Sequence, residues 1–133
     1  MLLAEFDGPK APPLSAGQLD LLEVYLDKLF AAVNMDVEFT NHFKQQVNNI
    51  RNKRQITISE LRQMFTKAYK KYNKGKAITN LGPDAQAVLT DMETDVNLPF
   101  VMVWDKRNRE FDMVAKSVMR KKNFGTSNKK LTV

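Results

Sequence analysis

The stretch TISELRQMFTKAYKKYNK, Thr57 to Lys74, leaves the chain little freedom to be anything but a helix there. Thr57 and Glu60 form a T-x-x-E capping box, in which each side chain satisfies the other residue's backbone N–H. Leu61, Met64, Phe65, Ala68, Tyr69 and Tyr72 then recur at i, i+3, i+4 spacing, which predicts an amphipathic helix over 58–73. Gly75 follows as the residue that ends it. Gln63, Lys67, Lys70, Lys71 and Lys74 fall on the opposite side. Lysines three and four apart repel one another by roughly a few tenths of a kcal/mol per pair, a cost that a polyanion would relieve and that bulk solvent also tolerates.

A second box, Ser15 with Gln18, precedes Leu19, Leu22, Leu26, Leu29 and Val33, and predicts a helix over 16–33. Before it, residues 1–14 hold three of the five prolines and read as an extended arm. DVEFT (36–40) alternates like a short strand. Thr40 or Asn41 then caps a short helix with Phe43, Val47 and Ile50 on its apolar side. LGPD (81–84) is a turn. Ala85, Val88, Leu89 and Met92 fit a helix beyond it, with an edge strand as the other reading. LPFVMVW and FDMVAKSVM, separated by DKRNRE, predict an antiparallel β-hairpin over 98–120, its second strand at 111–119. Residues 123–133 read as a basic tail. The expectation is one α+β domain over 15–122: an N-terminal amphipathic helix, a basic central helix and a C-terminal antiparallel β-hairpin in a small sheet.

Composition narrows the chemistry. With one histidine and no cysteine, disulfides, thiolate metal sites and zinc centres lack ligands, and no metal or other cofactor is expected. No P-loop, GxGxxG, HExxH or GxSxG occurs. No apolar run approaches the ~20 residues that cross a bilayer, so no membrane is expected. The N-terminus lacks the basic flank and apolar core of a secretory signal. The net charge of +6 is unevenly spread. Residues 41–76 carry ten Lys/Arg against Glu60 alone, and 113–133 carry six with no acid; 1–40 and 77–112 are net acidic. A polarised surface of this kind suits RNA or DNA, or an acidic protein face. The acid pairs Asp91 with Asp95 and Asp105 with Asp112 read as solvated turns and helix faces.

Phosphate-contact candidates are Arg51, Lys53 and Arg54 in the basic loop, Lys67, Lys70, Lys71 and Lys74 on the central helix, and Lys116, Lys121 and Lys122 near the C-terminus. On a strand over 111–119, Lys116 and Arg120 share a face and Arg120 stands at the hairpin's end. Metal-independent RNA cleavage needs a base, a cation for the pentacovalent phosphate and an acid. His42 is the candidate base and Arg120 the candidate cation; His42 is equally a polar residue at a helix start. His42, Gln46 and Asn49 share one side of the short helix.

DVEFTNHF, VN, RN and ITISEL, then LGPDAQAV, TDVNLPFV and VAKSVMRKKNF, resemble a family of small proteins in tailed bacteriophages, especially myophages of cyanobacteria, across residues 18–133. That resemblance implies a place in the host cytoplasm or the virion. His42, Arg51 or Arg54, Ile56, Glu60, and Lys116 or Arg120 are also distantly similar to RelE/ParE-like ribonuclease toxins. That second resemblance implies RNA as substrate and a toxin-like scaffold. It departs at Gln46, where the toxin pattern has arginine, and the departure puts cleavage in doubt. The expectation is a nucleic-acid-binding protein, active or inactive as a ribonuclease. Its alternatives are a virion structural protein and an inhibitor docking on an acidic host protein. LAE (3–5) loosely resembles a prohead-protease site.

Overall fold

The computed structural model describes residues 11–133, so LAE and most of the expected arm lie outside the described residues. Helix α1 (Ala16–Leu29) opens on the Ser15–Gln18 capping box and buries Leu19, Leu22 and Leu26. Strand β1 (Met35–Phe39) and the short helix α2 (Asn41–Gln46) follow, with Thr40 accepting the Phe43 N–H as cap. Helix α3 (Ile58–Lys71) opens on the Thr57–Glu60 box and buries Leu61, Met64, Phe65 and Ala68. After α4 (Lys76–Thr79) come β2 (Gln86–Asp91), β3 (Val96–Asp105), β4 (Glu110–Ala115), β5 (Met119–Arg120) and β6 (Lys129–Thr132).

The protein is α+β: the described residues form four helices and a six-stranded mixed sheet of order β1-β4-β3-β2-β6, with β5 alongside β3. β1 runs parallel to β4 and β6 parallel to β2, while β3 is antiparallel to β2, β4 and β5. The apolar sides of α1 and α3 meet Val37, Phe39, Leu89, Leu98, Phe100, Met102 and Met113 in one core. Alternation puts these sheet residues on a single face, the face the two helices cover.

Three expectations are corrected. Residues 86–91 form strand β2, not a helix: Ala87 and Leu89 join the core while Val88 and Thr90 are also buried, so the strand is buried on both faces. A run buried on two faces loses the alternation that marks a half-exposed strand. The end of the chain is not all tail, since Lys129–Thr132 pair with β2 and bury Leu131. Finally, the strand expected at 111–119 breaks after Ala115. Pro99 opposite the break accepts the Lys116 N–H but has no N–H to return, so the antiparallel pairing stops and resumes as β5 after the three residues 116–118.

The last turn of the expected 16–33 helix differs: α1 stops at Leu29, and a 3-10 turn at Ala31–Val33 leads to Asn34 in the left-handed region. Leu14, the last residue of the expected arm, is anchored. Its N–H donates to Asn48 Oδ1 at 2.8 Å and its carbonyl accepts from Asn48 Nδ2 at 2.9 Å.

Candidate nucleic-acid interface

A buried asparagine organises the basic loop. Asn52, 3% exposed, donates to the carbonyls of Gln46 and Val47 and accepts the backbone N–H of Arg120 at 2.9 Å. It thereby ties the end of α2 to β5, segments 68 residues apart. Arg120 completes the tie. Its Nε donates to the Arg54 carbonyl, Nη1 to Glu60 Oε2 and the Thr94 carbonyl, and Nη2 to Glu60 Oε1 and the Gln55 carbonyl. A guanidinium has five N–H groups, and all five are used. Burial pushes the Glu60 carboxyl up, but the Arg120 hydrogen bonds, the Thr57 N–H and the charges of Arg120 and Arg54 outweigh it and hold Glu60 below its ordinary value.

Above this tie lies a groove of about 880 Å³. Arg51, Lys53 and Arg54 from one segment and Lys121 and Lys122 from another line it, together with Gln46, Asn49 and the β2–β3 turn residues Glu93, Thr94 and Asp95. Among the described residues, Arg51, Lys53, Lys121 and Lys122 have exposed side chains and no acid partner, while Arg54 reaches Glu60 at 3.6 Å and stays 72% exposed. Two basic segments far apart in sequence thus meet across one cavity.

The other expected contacts do not join it. Lys67 bonds Asp91 Oδ1 at 2.8 Å and approaches Glu93 at 3.7 Å. Asp91, read from sequence as solvated, is buried at the end of β2, and its Oδ2 has no hydrogen-bond partner. Lys71 donates to the Thr132 carbonyl, which holds β6 against α3. Lys70 and Lys74 are exposed outside the groove, and Lys116, no longer on a strand, bonds Gln86. His42 is exposed on the first turn of α2 and does not line the groove, although Gln46 one turn on does. Arg120 lies in the floor with no N–H to offer a phosphate, a correction to its expected role.

Sequence reasoning missed a second feature at the far end of β3. A cleft of about 330 Å³ is lined by Glu23, Asp27, Asp36, Glu38, Asp105, Glu110 and Asp112. Burial, then neighbouring acids, push Asp112 above its ordinary value; burial dominates for Glu23 and Asp27, whose backbone hydrogen bonds offset part of it. Those two cap the open edge of β1, accepting the N–H groups of Phe39 and Val37. Carboxylate oxygens of Asp36, Glu110 and Asp112 lie within 4.8 Å of one another and are the described groups closest to a cation-binding arrangement. The basic groove sits by Val96 and the acidic cleft by Asp105, the two ends of β3, about 30 Å apart at the rise of an extended strand. The signal for the cleft was present as two acidic blocks, but only the parallel pairing of β1 with β4 brings them together.

Among the described residues no helix is long and apolar enough to cross a membrane. Comparison with family models, curated proteins and solved structures returned no match.

Proposed function

We propose that the protein binds nucleic acid through the groove between Arg51–Arg54 and Lys121–Lys122. The observation that carries this is the convergence of two distant basic segments on one cavity, with the charges of Arg51, Lys53, Lys121 and Lys122 unpaired. Unpaired cations facing each other across a groove repel, and a phosphate chain between them removes that repulsion. Binding without cleavage is the favoured form, because His42 stands outside the groove and Arg120 is spent on Glu60. A RelE/ParE-like scaffold and a tailed-phage origin, with action in the host cytoplasm or the virion, belong to the same proposal. The scaffold draws support from the chain order of N-terminal helix, basic central helix and antiparallel β3–β4 pair, and the phage origin from the motif resemblance alone.

A second reading is a virion component without catalytic activity. It is favoured by the charge polarity along β3, which suits packing of like subunits or contact with packaged DNA. Titration of labelled RNA and DNA with the wild type and with Lys53→Glu/Lys122→Glu tests the main proposal. Binding at low salt that the double variant loses is expected. No binding at low salt, or equal binding by the variant, rejects it.

A further inference from the structure

We infer that the groove's ligand is the phosphate backbone of a duplex, gripped without regard to base sequence. This rests on the nucleic-acid reading above and adds the substrate class. Proteins that hold single strands combine a basic track with aromatic side chains on which bases stack, each stack contributing about 1–3 kcal/mol. Among the described residues no aromatic side chain lines this groove. Phe30, Phe39, Phe43, Phe65 and Phe100 are in the core, and the exposed Trp104 packs on Phe111 at the other end of β3, beside the acidic cleft that repels phosphate. What the groove offers is five cations from two segments against the two acids Glu93 and Asp95, with the amides of Gln46 and Asn49 bonded to each other.

A site limited to charge favours the ligand with the densest charge. A duplex carries one phosphate per about 1.7 Å of axis, twice the density of either strand alone. Base discrimination needs donors and acceptors directed at base edges, typically bidentate arginine or amide contacts. Arg120, the groove's preorganised guanidinium, is saturated, and Gln46 and Asn49 already share a hydrogen bond. The cations left are four exposed side chains and the partly paired Arg54; Arg51 has no acid partner and Arg54 is 72% exposed, so neither guanidinium is fixed toward a base edge and all five track a backbone.

The experiment is competition binding of the full chain to 20-base-pair duplex DNA and duplex RNA, each in two unrelated sequences, and to oligo(dT) and oligo(U) of equal length. The expected result is at least one duplex type bound about tenfold tighter than either single strand, its two sequences agreeing within about twofold. Single strands bound as tightly as duplexes, or unrelated duplexes differing by about tenfold, would overturn the inference while leaving groove binding standing. No binding to any of the six rejects the underlying reading as well. Lys53→Glu/Lys122→Glu must abolish the duplex preference; if it survives, the groove is not its source.

Discussion

Arg120 and Glu60 meet in a two-pronged ion pair, Nη2 to Oε1 at 2.8 Å and Nη1 to Oε2 at 3.0 Å, with side chains 10% and 18% exposed. Glu60 also receives the Thr57 N–H, so one carboxylate caps α3 and anchors β5. The arginine that resembled a catalytic cation is therefore the fastener of the groove's floor. Removing one partner of such a buried pair leaves the other uncompensated. Arg120→Ala is expected to cost about 3 kcal/mol or more, and Arg120→Lys to regain less than half, because one ammonium cannot reach five acceptors. Urea unfolding measures both. A lysine variant with wild-type stability but lost nucleic-acid binding would return Arg120 to a ligand-contact role.

Lys67 is expected to behave like Arg120 rather than like its neighbours on the α3 stripe. Lys67→Met strands the buried Asp91 carboxylate and should cost about 3 kcal/mol, whereas Lys70→Ala should stay within about 0.5 kcal/mol. Equal, small effects in urea unfolding would mean that the Lys67–Asp91 pair contributes nothing.

Gly75 and Gly82 offer a matched pair. Both hold positive φ, +93° and +91°, but a Cβ on Gly75 would come within 2.6 Å of Phe30 Cδ1 while one on Gly82 meets nothing. Gly82→Ala should cost about 1–2 kcal/mol for conformation alone, and Gly75→Ala at least about 2 kcal/mol more for the added clash with a core ring. Thermal unfolding separates them; equal losses would place Phe30 elsewhere.

The two charged ends respond to pH with opposite signs. Glu60 lies below its ordinary 4.5, so the stability it contributes is present above that pH and is lost as pH falls through its depressed value. Asp112 lies above its ordinary 3.8, so its ionised form is a standing cost at neutral pH that protonation relieves. Asp112→Asn should stabilise modestly at pH 7, by under about 1 kcal/mol, and the gain should shrink on acidification. Glu60→Gln should destabilise at pH 7 by an amount that also shrinks once pH falls below 4.5. Denaturation at neutral and acid pH checks both signs.

The two capped helices were legible because their information is local: Ser15 with Gln18 and Thr57 with Glu60 need no distant partner. β2 carries a helix-like pattern because its identity depends on β3 and β6, which pair both its edges, and on burial of both its faces. β6 was unreadable as a strand for the same reason, since its four residues include two exposed lysines and gain order only beside β2. The candidate basic residues were visible singly. Their division into contacts and fasteners was not, because Lys67 depends on a buried Asp91 and Arg120 on Glu60, each far away in sequence.

The most direct test is the salt dependence of duplex binding for the wild type and for Lys53→Ala, Lys121→Ala and Lys122→Ala. Groove binding predicts a plot of log affinity against log salt with a slope of about −3 to −5, made shallower by about one for each cation removed. A wild type that fails to bind at low salt, or a slope unmoved by all three substitutions, would contradict it.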